Sequence, residues 1–373
     1  MTPTDILEKS TVTVGNGVII AVGNSRSPAG ARILDAEGLM LLPGFVDIHS
    51  DAIETAIQPR PGGVFPTTMA LRELDRNLVA YGITTIYHSL SFYDSGQTDL
   101  RDSQNCVALI DEIHRQKERL RADTKVHLRF EITQTQALPL VEALIKSGKI
   151  HFFSLMDHTP GQGQFVDVTQ FRTYYGKVRG KSDQEVDQLI AERMALRNQV
   201  ESEPLQHLTH LCRRHNIRVA GHDDDTTAKV NWNHQLGVTL SEFPINLEAA
   251  RSAHACGMQV SLGAPNILRG RSATGNLNAR EAIRAGYGSI ICSDYAPVAL
   301  LHAGMTLVQK GIIDLVKMSR MLSSNPARAV GIDYSTGAIE EGKRADLVLV
   351  DLNDDIPAIK RTFVLGRQVY ASC

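Results

Sequence analysis

Short apolar runs alternate with longer amphipathic stretches along most of this 373-residue chain, and this alternation limits its fold more than any other feature. Eight runs have the length and β-branched content of buried strands, and most are separated by segments of helical period. The predicted strands span residues 44–49, 83–88, 126–132, 151–156, 217–222, 238–243, 258–263 and 289–293, and the predicted helices span 69–81, 102–121, 137–147, 183–215, 247–256 and 278–285.

Eight strands with crossover helices predict an α/β chain of the (β/α)8 TIM-barrel type, which needs roughly 250 residues. The alternative, a doubly wound open sheet, would carry a glycine-rich phosphate loop after an early strand, and the sequence has none. The two ends of the chain contain short alternating runs that could not bury a sheet face separately. We therefore expect residues 1–42 and 337–373 to form a small composite β-sandwich beside a barrel of residues 43–336.

The bulk composition excludes several classes of protein. The formal net charge is −2, so no global basic field favours nucleic acid or an anionic membrane. No apolar run approaches the ~18–20 residues that span a bilayer, and the N-terminal segment lacks the pattern of a signal peptide. The five cysteines form no C-x-x-C pair. We expect a cytoplasmic protein with a small-molecule substrate, and a homo-oligomer, most simply a dimer.

Histidines and carboxylates recur where the predicted strands end. In a barrel these ends converge on one cavity, and side chains two apart on a strand face the same way, as His49 and Asp51 do. His88 also ends a predicted strand, but a buried packing role is the simpler interpretation. The candidate metal ligands are His49, Asp51, Glu131, His158, His222 and Asp294, with Asp157, Asp223 and Glu242 expected behind them.

A mixed set of histidine and carboxylate ligands suits Zn²⁺, Mn²⁺ or Fe²⁺, and six candidates could hold one or two such ions. Asp294 is also the candidate catalytic residue, expected to take or relay the proton of the attacking water. No G-x-S-x-G nucleophile elbow offers a competing serine mechanism. The sequence therefore predicts a metal-assisted hydrolase.

Two further stretches indicate an anionic substrate. GAPNILRGRSATGN (263–276) brings Arg269 and Arg271 to the cavity rim, and guanidinium groups bind phosphate bidentately. Asn266 and Tyr295 are candidate substrate contacts beside them. Residues 159–181 are too long for an ordinary connection and form either a basic lid or a solvated excursion. The candidate lid residues are Arg172, Tyr174, Tyr175, Lys177, Arg179 and Lys181.

Several phrases resemble the amidohydrolase superfamily, namely LLPGFVDIHSD near the start and NPARAVGI and GAIEEGKRADLVLVD near the end. The phrases SLMDHTPGQ, GHDDDT, SEFPINLEAAR, GAPNILRGRSATGN and CSDYAP are similar, more narrowly, to its phosphonate-metabolism branch in the carbon–phosphorus lyase pathway. This resemblance implies a metal-dependent hydrolase barrel with a composite sandwich. It also implies cleavage of α-D-ribose 1-methylphosphonate 5-triphosphate to the 5-phosphate and pyrophosphate.

The chain departs from the superfamily pattern at three points. His49-Ser50-Asp51 replaces the usual His-x-His, and the harder oxygen ligand shifts metal preference toward Mn²⁺ or Fe²⁺. The frequent carboxylated lysine has no counterpart, so Glu131 is assigned the bridging role. Glu242 stands where a second histidine is usual. Two other functions stay open: hydrolysis of a C–N bond, as in a deaminase or cyclic amidase, and a non-catalytic subunit of a phosphonate-processing assembly.

Overall fold

The computed structural model describes residues 1–23, 28–36, 38–60, 62–92, 100–178, 180–353 and 356–372. Its strands alternate with helices through the middle of the chain and cluster at both ends. The strands are β1 Thr11–Gly15, β2 Val18–Gly23, β3 Met40–Pro43, β4 Phe45–Ser50, β5 Ile83–Phe92, β6 Asp123–Glu131, β7 Phe152–Met156, β8 Arg218–His222, β9 Leu240–Glu242, β10 Gln259–Gly263, β11 Ile290–Cys292, β12 Leu347–Asp351, β13 Ala358–Val364 and β14 Arg367–Ala371.

Strands β4 to β11 form one parallel sheet in sequence order, as right-handed strand–helix–strand units require. A bridge between Ser50 and Asp294 joins the last strand to the first. Apolar side chains from several strands, among them Val46, Phe152 and Leu240, fill the interior against Ala327 of a late helix. The predicted TIM barrel is confirmed, and its interior is a packed core that supports the strand ends.

Helices cover the outside of the barrel. The helices are α1 Ala52–Ile57, α2 Thr67–Ala80, α3 Ser103–Gln116, α4 Leu138–Lys146, α5 Val168–Thr173, α6 Asp183–Arg197, α7 Ser202–Arg214, α8 Thr227–Gln235, α9 Leu247–Ala255, α10 Ala264–Arg269, α11 Ala279–Arg284, α12 Ala299–Gln309, α13 Leu315–Leu322 and α14 Ser324–Ala329. Five of the six predicted segments coincide with single helices, the sixth is divided, and the described residues contain seven helices that were not predicted: α1, α5, α8, α10, α12, α13 and α14.

The single helix predicted over 183–215 is wrong, because α6 ends at Arg197 and α7 begins at Ser202. Pro204 lies in the first turn of α7, where its missing N–H costs nothing, whereas a continuous helix would place its ring against the Val200 carbonyl. The capping box at the start of α6 is present, with Ser182 and Glu185 exchanging hydrogen bonds. No helix in the described ranges is long and apolar enough to cross a membrane.

Both ends of the chain contribute to two small antiparallel sheets. Strand β3 pairs with β12, followed by β13 and β14, while β1 and β2 form a separate hairpin. Ile19 of the hairpin packs with Ile339, Ala345 and Leu347 in a small apolar cluster between the sheets. Since β3 leads through Gly44 directly into β4, these sheets hold the first barrel strand in place.

Candidate active site

The first and last barrel strands bring three predicted ligands together. The Asp294 amide donates to the His49 carbonyl oxygen at 3.0 Å, and the Asp51 amide donates to the Asp294 carbonyl oxygen at 2.8 Å. Both bonds lie at the carboxyl ends of β4 and β11, where the barrel closes. His49, Asp51 and Asp294 therefore share one rim of the cavity.

The middle strands supply the other three predicted ligands. Glu131 ends β6, His222 ends β8, and His158 follows β7 by two residues. The ring centroids of His158 and His222 are 5.9 Å apart, and those of His49 and His222 are 5.5 Å apart. All six candidates thus lie at the same end of the barrel, as the sequence pattern predicts.

Glu242 lies behind two of the histidines. It is fully buried, and its carboxylate oxygens lie 3.0 Å from Nδ1 of His49 and 3.4 Å from Nδ1 of His222. A carboxylate only accepts hydrogen bonds, so both Nδ1 atoms carry the proton and both Nε2 atoms present lone pairs. Carboxylates placed in this way orient metal-binding histidines. The geometry favours an orienting role for Glu242.

Glu131 has the same relation to His158. Its Oε2 lies 2.8 Å from Nδ1 of His158, and its Oε1 accepts the His158 amide at 3.1 Å. The two contacts fix both the backbone and the ring of His158. Glu131, itself one of the six candidate ligands, thus holds the ring and the amide of His158 at the same time.

The outward nitrogen atoms of the histidines form donor groups with carboxylates. His49 Nε2 lies 3.7 Å from Asp51 Oδ1, while the Nε2 atoms of His222 and His158 lie 3.6 and 3.8 Å from Asp223 Oδ2. His158, His222 and Asp223 have ligand atoms within 4.8 Å of one another. His49, His222 and Glu242 are equally close, but Glu242 faces the protonated Nδ1 atoms of both histidines and orients them. Imidazole and carboxylate donors at this spacing fit a divalent transition metal.

Asp223, expected behind the ligands, therefore lies within a donor group. Asp157 faces elsewhere: it accepts a hydrogen bond from Arg197 at 2.6 Å and from the Thr159 amide at 3.2 Å. Asp157 thus joins the end of β7 to α6 and supports the segment between them.

Burial and charge shift the pKa values of these groups in different directions. Burial, and after it the charge of Asp51, raises the pKa of Asp294 to about 6. Burial alone would raise the pKa of Glu242, but His49 and His127 hold it well below its usual range. Burial lowers the pKa of His222, which keeps the imidazole neutral and able to bind a metal. The pKa of the Asp294 carboxyl is thus raised toward neutrality.

Three residues at the strand ends adopt left-handed backbone conformations that non-glycine residues seldom use. The φ angles are 51° at Asp223, 53° at Phe243 and 58° at Asp294. Each lies one or two residues after the end of a barrel strand. Backbone strain of this kind clusters at functional sites. The turns redirect the chain where β8, β9 and β11 end, which sets the direction of the side chains there.

Sequence reasoning missed the buried Arg129. Its guanidinium donates to both carboxylate oxygens of Asp51, at 3.0 and 3.1 Å, and contacts His222 Nε2 at 3.0 Å. The signal was available, because Arg129 and Glu131 are two apart on β6 and so share a face.

A buried polar pair that was also missed supports Glu242 from below. The Ser154 hydroxyl donates to Glu242 Oε2 at 2.6 Å and lies 2.5 Å from His127 Nε2. His127 and Ser154 are interior positions of β6 and β7, where sequence alone does not distinguish a polar network from isolated polar residues. They leave the Glu242 carboxylate fully bonded.

The candidate substrate residues lie around α10. Arg269 donates to the Tyr295 hydroxyl at 2.5 Å, and Arg271 is exposed. The Asn266 side chain donates to the Leu277 carbonyl at 2.9 Å and accepts the Ala279 amide at 3.0 Å. Asn266 therefore closes the loop that carries Arg271, whereas Arg269 and Tyr295 have free access to a ligand from solvent.

The candidate lid is a folded insertion with an apolar cluster of its own. Phe165, Phe171 and Val186 are buried together, with Tyr174 and Tyr175 packed against them. The two tyrosines, predicted to line a lid, thus serve packing. Arg172 pairs with Asp187 of α6, Lys177 lies in a π-helical turn, Lys181 is partly exposed, and Arg179 lies outside the described residues.

Residues 40–369 match the model of the amidohydrolase family. The chain belongs to the amidohydrolase family. This confirms the resemblance inferred from the motifs and the predicted hydrolase class. Amidohydrolases depend on metal, in agreement with the histidine and carboxylate groups described above.

Individual amidohydrolases are similar over the whole chain. The Escherichia coli (strain K12) alpha-D-ribose 1-methylphosphonate 5-triphosphate diphosphatase is 35% identical, covering 98% of both chains. The dihydroorotase of Elusimicrobium minutum is 22% identical over 92% of this chain and 84% of its own. The deacetylase of N-acetylglucosamine 6-phosphate from Pasteurella multocida superposes with a TM-score of 0.63 at 15% identity, covering 100% of this chain and 97% of that one. The last similarity supports the fold alone.

Proposed function

We propose that this amidohydrolase cleaves α-D-ribose 1-methylphosphonate 5-triphosphate into the 5-phosphate and pyrophosphate. The observation that carries the proposal is the full-length similarity, at 35% identity, to the E. coli enzyme of that name. The histidines and carboxylates at the strand ends are residue types that bind divalent metals, and the arginines near α10 can bind phosphate groups. Both features fit a reaction on a polyphosphate.

The proposed metal-binding residues fall into two groups around the cavity. His49, Asp51 and Asp294 would hold one divalent ion, and His158, His222 and Asp223 a second. A bound Zn²⁺, Mn²⁺ or Fe²⁺ supplies a Lewis acid that polarises phosphoryl oxygens and makes water acidic near neutral pH. Glu242 and Glu131 keep the three imidazoles in the tautomer that turns Nε2 toward the cavity.

In this proposal Asp294 accepts the proton of the attacking water. Its carboxyl group follows β11 and has a pKa raised to about 6 by burial and by Asp51. A base whose pKa lies close to the working pH transfers protons most effectively. Asp294 then returns the proton to solvent or to a product oxygen.

Arg269, Arg271 and Tyr295 are proposed to bind the triphosphate. The guanidinium of Arg269 is exposed and already oriented by the Tyr295 hydroxyl, so a phosphate oxygen gains a fixed donor. Positive charge at this position stabilises the departing pyrophosphate as the bond breaks.

The deciding experiment is ³¹P NMR of metal-reconstituted protein with the proposed substrate. We expect resonances of pyrophosphate and a 5-monophosphate to grow together, and Asp294→Asn to remove at least 99% of the rate, about a hundredfold effect typical of general-base catalysis. Release of orthophosphate would retain a phosphohydrolase but reject this cleavage. An unchanged spectrum, with hydrolysis of dihydroorotate or a related cyclic amide, would support a C–N hydrolase instead.

A further inference from the structure

Arg129 lies between the two candidate metal-binding groups. Arg129 is buried, with only 6% of its surface exposed, and its guanidinium contacts Asp51 of one group and His222 of the other. Its Nε atom has no hydrogen-bond partner among the described residues. Among the arginines that the structure describes, only Arg129 contacts both groups.

The contact with His222 identifies the lone pair involved. A guanidinium has only donors, so the Arg129 Nη2 atom at 3.0 Å requires an unprotonated Nε2 on His222. The Nδ1 proton of His222 points to Glu242, which agrees with that assignment. This Nε2 lone pair is also the one that His222 would offer a metal.

The contact with Asp51 has the same character. Arg129 Nη1 lies 3.0 and 3.1 Å from the two carboxylate oxygens, so it engages a lone pair on each of the two atoms with which Asp51 could bind an ion. A cation already present between these donors also repels a second cation that enters beside it. Arg129 therefore opposes metal binding both by contact and by charge.

We propose that Arg129 competes with a divalent metal for Asp51 and His222 and thereby sets the metal affinity of the site. When the metal takes these donors, the guanidinium is released into the cavity with all its N–H groups, including the unpartnered Nε, available to an anion. The release would couple metal loading to binding of the triphosphate, and this second part rests on the proposed function.

The test is a titration of metal-free protein with Zn²⁺ in competition with a chromophoric chelator. We expect Arg129→Met to bind Zn²⁺ roughly tenfold to a hundredfold more tightly than the wild type, the size of effect that groups contacting metal ligands exert. Arg129→Lys keeps a charge but lacks the planar fork, so its affinity should fall between the two.

Arg197→Met is the matched control. Arg197 also binds a buried carboxylate, Asp157, at 2.6 Å, but contacts none of the candidate ligands. We expect its Zn²⁺ affinity to equal that of the wild type. Unchanged or weaker Zn²⁺ binding by folded Arg129→Met would overturn the proposal; if that variant does not fold, the same outcome in Arg129→Lys would do so.

A second measurement separates this inference from the proposed function. With Zn²⁺ saturating, Arg129→Met should raise KM for the ribose triphosphate at least tenfold, while Arg197→Met should not. Tighter Zn²⁺ binding without any triphosphatase activity in the wild type would reject the proposed substrate and leave the competition intact. An unchanged KM in Arg129→Met would reject the coupling to substrate.

Discussion

Glu242 orients two imidazoles at once, one with each carboxylate oxygen, so replacing one oxygen by an NH₂ group tests this role. In Glu242→Gln only one of the two histidines can still donate to an oxygen, because the other faces an NH₂ group. We expect metal affinity to fall by roughly tenfold to a hundredfold, measured by chelator competition. Glu248→Gln on α9 is the control. Equal affinity in both variants would contradict the orienting role.

His88 shows a different consequence of burial. It is 1% exposed, and burial lowers its pKa to about 4 from an ordinary 6.5. Between these values the unfolded chain binds a proton that the folded chain does not, so stability is lost as pH falls below 6.5. The loss should reach about 2 kcal/mol near pH 5.

The measurement is Tm between about pH 7.5 and pH 5 for the wild type and His88→Gln. We expect the variant to lose fewer degrees over this interval, because glutamine takes up no proton. Other histidines whose pKa is lowered by burial, such as the partly buried His151, leave a residual slope. Parallel Tm curves for the two proteins would show that His88 is not held neutral by the fold.

At the scale of elements, the insertion between β7 and α7 has a core separate from that of the barrel. Phe171 is fully buried in it, and removing a buried phenylalanine side chain typically costs about 3–5 kcal/mol. We expect Phe171→Ala to open this segment locally, creating new protease cleavage sites within 159–197 while the barrel Tm changes little. The half-exposed Val166→Ala should cleave like the wild type. A large fall in Tm without new cleavage sites would contradict a separate core, because Phe171 would then stabilise the whole barrel.

Much of the barrel could be predicted because its elements repeat one simple pattern. All eight barrel strands were predicted, because buried parallel strands appear in the sequence as short apolar runs. Gly82, Gly148 and Gly257 follow helix ends and have positive φ angles of 82°, 73° and 73°. The helices α1, α5, α8, α10 and α12 to α14 were missed, and six of these seven span nine residues or fewer, which is less than the roughly 11–18 residues over which a helical period is recognised. The continuous helix over 183–215 was wrong because Pro204 was not weighed.

The site could be predicted only as a set of residue types at strand ends. Which carboxylate binds a metal and which orients a histidine depends on distances between strands, which sequence spacing does not determine. Asp223 and Glu131 illustrate this, as one lies within a donor group and the other behind His158. Arg129 was missed since a strand arginine is usually assigned to a surface ion pair.

At the scale of the whole molecule, Arg344 joins the barrel to the small sheets. Its Nη1 atom lies 2.7 Å from Asp123 of β6, and the buried Asp346 beside it precedes β12. Arg344→Met would leave the buried Asp346 and the partly buried Asp123 without this partner, and we expect a loss of about 1–3 kcal/mol by chemical denaturation. Arg328→Met, which breaks an exposed pair with Asp333, should cost less than about 0.5 kcal/mol. Equal losses of unfolding free energy in the two variants would show that the ion pairs of Arg344 do not stabilise the junction between the barrel and the small sheets.

The pairing of β3 with β12 also governs how the chain is made. Pro43 pairs with Leu347, so about 300 residues are translated between the two strands, which takes roughly 15–60 s at ribosomal rates. During that interval β3 is an open strand edge that a neighbouring nascent chain can extend. The yield of native protein therefore depends on how soon the ribosome delivers the last strands, and slow translation of the late codons favours aggregation over folding.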